Sequence, residues 1–238
     1  MKYLVFDTET TGVDVEKDRI IQAGIITPDG EEFLIHINPG VKIPEEAVKI
    51  HGITNEFLEK EGVSPVVGLT KIREKLLGDD PIVVFNAPYD LSILDHELER
   101  HGIPQLDIKE RLIFDPLTID RGLDRWRKGS RKLVDMAGFY GAEIGTAHDA
   151  IGDCKTTKAV FEKMTDKFPN FFNAPNSEIM AAQEDFYVTW AVNYQEFLQK
   201  QGKDVKIDTD FPQKKRLSPV IKPQTQPMLE TINIGGIA

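Results

Sequence analysis

The sequence predicts an α/β fold: a mixed sheet, opened by a three-strand antiparallel meander, completed by parallel strands and flanked by helices. Three observations carry this. Residues 3–37 hold three β-rich segments split by turn residues, and after Pro44 the apolar spacing takes on a helical period. From Pro81 onward strand-like and helix-like segments alternate, the order in which parallel strands join a sheet.

The elements follow in order. Tyr3–Phe6, Ile20–Ile26 and Phe33–Ile37 are rich in β-branched and aromatic residues, and Pro28-Asp29-Gly30 sets a hairpin turn between the second and third. Helical periodicity then predicts helices over Glu45–Lys49, Thr54–Glu61 and Ser64–Leu77, ended by Asp80-Pro81. Pro81–Phe85 is a near-continuous apolar run of the kind buried on both sheet faces. An amphipathic helix is expected over Leu91–His101, closed by Gly102. Leu112–Phe114 reads as a short strand, Lys132–Tyr140 as a helix ending at Gly141, and Ala150–Phe168 as a longer helix. Ser177–Gln201 reads as one long helix whose stripe of Phe186, Trp190, Tyr194 and Phe197 is expected to pack on the main domain. The expected organisation is a domain over residues 1–170, a helical extension over 171–202 and a flexible or loosely docked tail over 203–238. That tail carries four prolines and the basic cluster Lys214-Lys215-Arg216.

Composition bounds the function. The chain has 238 residues, 40% hydrophobic and 29% charged, enough to build a core. Its single cysteine, Cys154, excludes an intrachain disulfide and leaves a cysteine-based metal site short of ligands. No apolar run is long enough to span a bilayer, and the acids near the N-terminus do not suit a signal peptide, so a cytoplasmic location is expected. The formal net charge of −10 argues on its face against nucleic acid, since Lys and Arg supply most affinity for phosphates.

The chemistry lies in the placement of acids. Asp7 and Glu9 end an apolar strand two residues apart, so both carboxylates point to one side. Such a pair is stable around a divalent cation, although solvated turn acids give the same spacing. Asp90 follows the strand at Phe85 and opens a helix, where Asp is also a favoured first-turn residue. Asp153 lies near the start of the long helix, five residues after His148. Together they place four acids and one histidine at the ends of three elements, toward the sheet's carboxyl edge, where α/β sites form.

At these residues a resemblance appears. Asp7-Thr-Glu-Thr-Thr-Gly12, Asn86-Ala-Pro-Tyr-Asp90 and His148-Asp-Ala-Ile-Gly-Asp153 resemble the three motifs of the DEDDh family of 3′-to-5′ exonucleases, relatives of the proofreading epsilon subunit of bacterial DNA polymerase III. The resemblance covers about residues 1–168, departs at Phe85, where relatives often have His, and at Tyr89, where many have Phe, and implies a ribonuclease H-like fold. It implies that two divalent cations, Mg²⁺ or Mn²⁺, are held by Asp7, which bridges them, with Glu9, Asp90 and Asp153, and that His148 is the general base. It also puts His51 beside the terminal nucleotide with Ile50 and Ile53. Thr8 and Thr10 would meet that nucleotide through backbone groups and Tyr89 would stack on a base. His36, His96 and His101 are expected to be structural.

Positive charge clusters in Arg121-Gly-Leu-Asp-Arg125-Trp-Arg127-Lys128-Gly-Ser-Arg131-Lys132, six basic residues around one acid. The cluster suits either a solvated loop or a patch guiding a nucleic-acid backbone through Arg125, Arg127 and Lys128, with Trp126 available for stacking. The expected activity is release of nucleoside 5′-monophosphates from DNA 3′ ends, single-stranded or mispaired ends preferred. RNA trimming and a non-catalytic module that recruits a polymerase are the alternatives. A DNA polymerase or sliding clamp is the expected partner in trans, and Gln226-Pro-Met-Leu229 faintly resembles a clamp-binding peptide.

Overall fold

The computed structural model describes residues 1–214; Lys215, Arg216 and the Gln226–Leu229 segment lie outside the described residues. The meander is present. Strands β1 (Leu4–Thr10), β2 (Ile20–Ile26) and β3 (Glu32–His36) pair antiparallel, and β4 (Ile82–Val83) and β5 (Ile113–Phe114) extend the sheet in parallel, in the order β3-β2-β1-β4-β5. Only two residues of the apolar run Pro81–Phe85 enter the ladder as a strand.

Helices α1 (Glu45–His51), α2 (Asn55–Glu61) and α3 (Pro65–Leu76) follow the meander, and α4 (Ala87–Arg100) follows β4. This helix begins four residues before the expected Leu91, because Pro88 sits in its first turn, where a missing N–H costs nothing. A helix not expected from the sequence, α5 (Pro116–Leu123), follows β5. Its cap Asp115 accepts from the Leu117 N–H, and Pro116 occupies its first position. After it come α6 (Leu133–Tyr140), α7 (Ala150–Lys167), the short α8 (Pro169–Phe172) and α9 (Asn176–Lys200).

Alternation along β1 divides the core. Leu4 and Phe6 face a cluster with Leu69, Ile72 and Leu76 of α3 and Leu91, Leu94 and Leu98 of α4. Val5 faces the other cluster, with Phe114, Val160, Phe161 and Met164. The side-chain period of two therefore sends Thr8 toward α4 and both Asp7 and Glu9 toward α7.

The aromatic stripe of α9 does not form its packing face. Ile179, Gln183, Tyr187 and Ala191 are the buried line, four residues apart, whereas Tyr194 and Phe197 are 40% and 53% exposed. Phe186 does pack inward, over Gly122, where a Cβ would lie 2.1 Å from its ring. The first part of the expected tail runs back along the fold: Ile207 N–H donates to Gln195 at 2.8 Å and Lys214 N–H to the Ser92 hydroxyl at 3.0 Å. Among the described residues no helix is long and apolar enough to cross a membrane.

Candidate active site

The site forms where β1 and β4 end at their carboxyl edge and α4 and α7 begin. Asp7 pairs across the ladder with Gly24, and that glycine is the reason α7 can come so close: a Cβ there would lie 2.6 Å from the Ala150 carbonyl carbon and oxygen. The start of α7 is also tied to β2. Ala150 N–H donates to Gln22 Oε1 at 2.8 Å, and Asp149 caps the helix by accepting from Gly152 N–H at 3.2 Å. A register shift between Glu9 and Thr10 bends the strand just beyond the carboxylates, as bulges at sheet rims do.

These contacts bring Asp153 and His148 to Glu9: each of the three offers a ligand atom within 4.8 Å of the others. His148 is exposed and its backbone is left-handed, φ 61°, a conformation uncommon outside glycine and frequent at functional sites. On the opposite side Asp90, buried in the first turn of α4, accepts a 2.6 Å hydrogen bond from Thr8 Oγ1. The turn that launches α4 is fixed from beneath by Asp115, a fully buried carboxylate that accepts from Asn86 N–H at 2.9 Å, Ala87 N–H at 3.3 Å and Thr118 Oγ1 at 2.7 Å. Asn86 is left-handed there, φ 66°. Gln183 of α9 completes this frame, accepting from Asp115 N–H at 2.9 Å and donating to the Ile113 carbonyl at 2.8 Å.

Burial raises all four carboxyls of the cluster, and repulsion from neighbouring carboxylates adds to it. Burial and the neighbouring Asp90, Asp153 and Glu9 push the Asp7 carboxyl far above its ordinary range. Glu9 is raised to about 7 by burial and then by Asp153 and Asp90, and Asp90 to about 7 mainly by burial. Asp153 is also raised by burial, against the pull of His148. Four desolvated carboxylates with one histidine form a hard-oxygen donor set that fits Mg²⁺ or Mn²⁺.

The remaining expected residues divide. Tyr89 lines the groove beside Asp7 and Asp90, with its hydroxyl held by the Gly12 carbonyl at 2.6 Å and Thr10 Oγ1 at 2.5 Å. The Thr8 and Thr10 hydroxyls are thus committed inside the fold. His51 accepts from Ile53 N–H at 3.0 Å, its Nε2 is buried without a partner, and burial and the nearby His148 hold it below its ordinary value. Ile50 is 59% exposed. Ile53, expected at the cleft, is instead buried in a small cluster with Ile21, Ile43 and Leu58.

Arg127 is the main correction. Its guanidinium turns inward and grips the fully buried Asp120, Nη2 to Oδ2 at 3.0 Å, with Arg131 Nε at 2.6 Å and the Tyr140 hydroxyl at 2.7 Å on the same carboxylate. It fixes the loop, while Arg125 and Lys128 remain exposed. His36 bonds Gln22 at 2.8 Å in the sheet, a structural place as expected. Gln22, Gly24, Asp115 and Gln183 carry no sequence signal that separates them from ordinary strand, cap and helix residues; the Asp115-Pro116 pair, a helix-start signal, is the exception.

Comparison with known proteins places this geometry. The RNase_T family model, described as an exonuclease, matches residues 4–161. The DNA polymerase III subunit epsilon of Rickettsia prowazekii is 36% identical over 104 residues, 41% of this chain and 44% of its own length. A PolC-type DNA polymerase III of Staphylococcus haemolyticus is 32% identical over 166 residues, 68% of this chain and 11% of the relative. Among solved structures, a moderately thermophilic exonuclease I from Methylocaldum szegediense superposes with a TM-score of 0.58 at 25% identity, over 72% of this chain and 42% of that one. Exonuclease I of E. coli, in complex with a dT13 oligonucleotide, gives 0.63 at 21% identity over the same shares and bears on the fold alone. The chain thus spans less than half the length of these relatives. The shared architecture is the ribonuclease H-like one.

Proposed function

The chain belongs to the RNase_T exonuclease family, and from that premise we propose that it is a metal-dependent 3′-to-5′ exonuclease acting on single-stranded or mispaired DNA ends. The observation that carries this reading is the convergence of Asp7, Glu9, Asp90, Asp153 and His148 on one open edge of the sheet. The four carboxylates would hold two divalent cations. Bound there, such ions neutralise charge on the phosphoryl oxygens and make the attacking water more acidic.

The side chains supply the rest. His148, presented at the rim by its left-handed backbone, accepts a proton from the water that attacks phosphorus. The bond to the 3′ oxygen breaks and that oxygen takes a proton from solvent, which releases a nucleoside 5′-monophosphate and leaves a new 3′ hydroxyl on the shortened strand. Tyr89, locked by the Gly12 carbonyl, offers a fixed ring beside the reacting end, and His51 stands next to His148 to meet the terminal nucleotide. A cytoplasmic protein serving a DNA polymerase in trans fits this chemistry.

Turnover of 5′- and 3′-labelled single strands with Mg²⁺ or Mn²⁺ tests polarity, metal and substrate together. Asp7→Ala is expected to keep the wild-type circular dichroism spectrum and to lose kcat by several orders of magnitude. Undiminished turnover in the purified variant would sink the assignment. Cleavage of RNA alone would replace DNA as the substrate.

A further inference from the structure

The groove at the carboxylate cluster continues beyond it. Its wall beside Asp7, Tyr89 and Asp90 is built by Arg121, Arg131 and Trp190. The same three residues line a neighbouring pocket of about 500 Å³ between the end of α5 and α9, which reaches out to Arg125 and Trp126. The two concavities therefore meet along one wall. One of these three residues, Trp190, comes from α9, beyond the span that the family model matches.

Arg121 is the notable group. Its guanidinium lies 3.8 Å over the Trp190 ring, and Tyr194 stacks on the same indole at 5.5 Å and 13°, so the cation is held in place. Its Nη1 is buried without a hydrogen-bond partner. The carboxylate that most favours its charge, Asp115, is already committed to the α4 turn. A buried guanidinium nitrogen lacking a bonded acceptor is costly, and an anion entering the groove would relieve that cost. At the outer end Trp126 is 85% exposed, a large flat ring with Arg125 at 5.2 Å. In a chain of net charge −10, this pocket is lined by Arg121, Arg125 and Arg131, the last already paired with the buried Asp120, against one lining acid, Asp185.

We propose that this pocket seats the unpaired strand behind the reacting end: a backbone phosphate is taken by Arg121, and a base stacks on Trp126. A single strand fits better than a duplex, whose base faces are already covered. The end point of the path rests on the exonuclease reading, but the binding does not.

The test uses the full chain, a fluorescent single strand of about twelve nucleotides and fluorescence anisotropy in EDTA, so that nothing is cut. Trp126→Ala is expected to weaken binding about tenfold, the order of one lost base stack. Arg121→Gln is expected to reduce the slope of log affinity against log salt by about 0.7, one phosphate contact. With Mg²⁺, both variants should lower kcat/KM for the long strand relative to a dinucleotide. Trp126 is exposed enough that its removal leaves the fold alone. Wild-type affinity and slope in both variants overturns the groove. A wild-type protein that binds as expected, with both variants weakened, yet cuts neither substrate supports the groove and refutes the exonuclease reading.

Discussion

Asp90→Asn should stabilise the cation-free protein while abolishing its activity. The carboxyl is pushed up to about 7 from an ordinary 3.8, chiefly by burial. Each unit of pKa corresponds to ~1.4 kcal/mol, so the ionised group costs the native state at most about 4 kcal/mol near neutral pH and above. The substituted amide keeps an oxygen for the Thr8 hydroxyl, so local geometry survives. Discounting for relaxation and for the coupling with Asp7, we expect a gain of about 2 kcal/mol, or roughly 4 to 8 °C in Tm for a chain of this size. The sign follows from proton counting. A carboxyl raised in the native state binds more protons there than in the unfolded chain, so native stability falls as pH rises from the unfolded value to the folded one. The advantage of Asp90→Asn should therefore be full above about pH 7 and shrink toward zero near pH 4. Thermal melts in EDTA across that range measure it, and adding Mg²⁺ should raise the wild-type Tm more than the variant's. A variant no more stable than wild type at about pH 8 would refute the cost assigned to the buried charge.

Two further outcomes follow from packing. Arg127→Ala strips a partner from a fully buried carboxylate and should cost about 3 kcal/mol in urea unfolding, whereas exposed Arg125→Ala should stay within about 0.5 kcal/mol. Equal losses would contradict the inward placement of Arg127. Gly24→Ala puts a methyl against the Ala150 backbone and should lower stability by about 1 to 3 kcal/mol, and also reduce kcat at temperatures where the variant remains folded, because α7 carries Asp153. A variant with normal kcat would show that the approach of α7 is not set at Gly24.

The meander, the four acids and His148 were legible because each rests on local pattern: period-two apolar segments, turn residues, and carboxylates where packing needs none. Helix α5 is hard to read because it is short and its start signal, Asp115-Pro116, serves equally well to open a turn. The buried face of α9 is hard to read because Gln183 interrupts its apolar line and Ala191 is small, while the aromatic stripe beside it looks like core. Arg127 looked like part of a basic patch, and only its distance to Asp120 in the fold separates a buried ion pair from a surface charge. Such partners are brought together by tertiary packing and leave no spacing rule in the chain.

Gln183 gives α9 a role beyond its contact area. β5 is the outermost strand of the sheet on its side, so its outward N–H and C=O groups would stand ready to bond another chain. One side-chain amide answers both the Ile113 carbonyl and the Asp115 N–H, the pair of bonds that a sixth strand would make. A helix outside the nuclease motifs thereby closes the sheet, and a chain shortened before α9 would present an open edge, prone to strand addition and self-association, directly beneath the turn that holds Asp90.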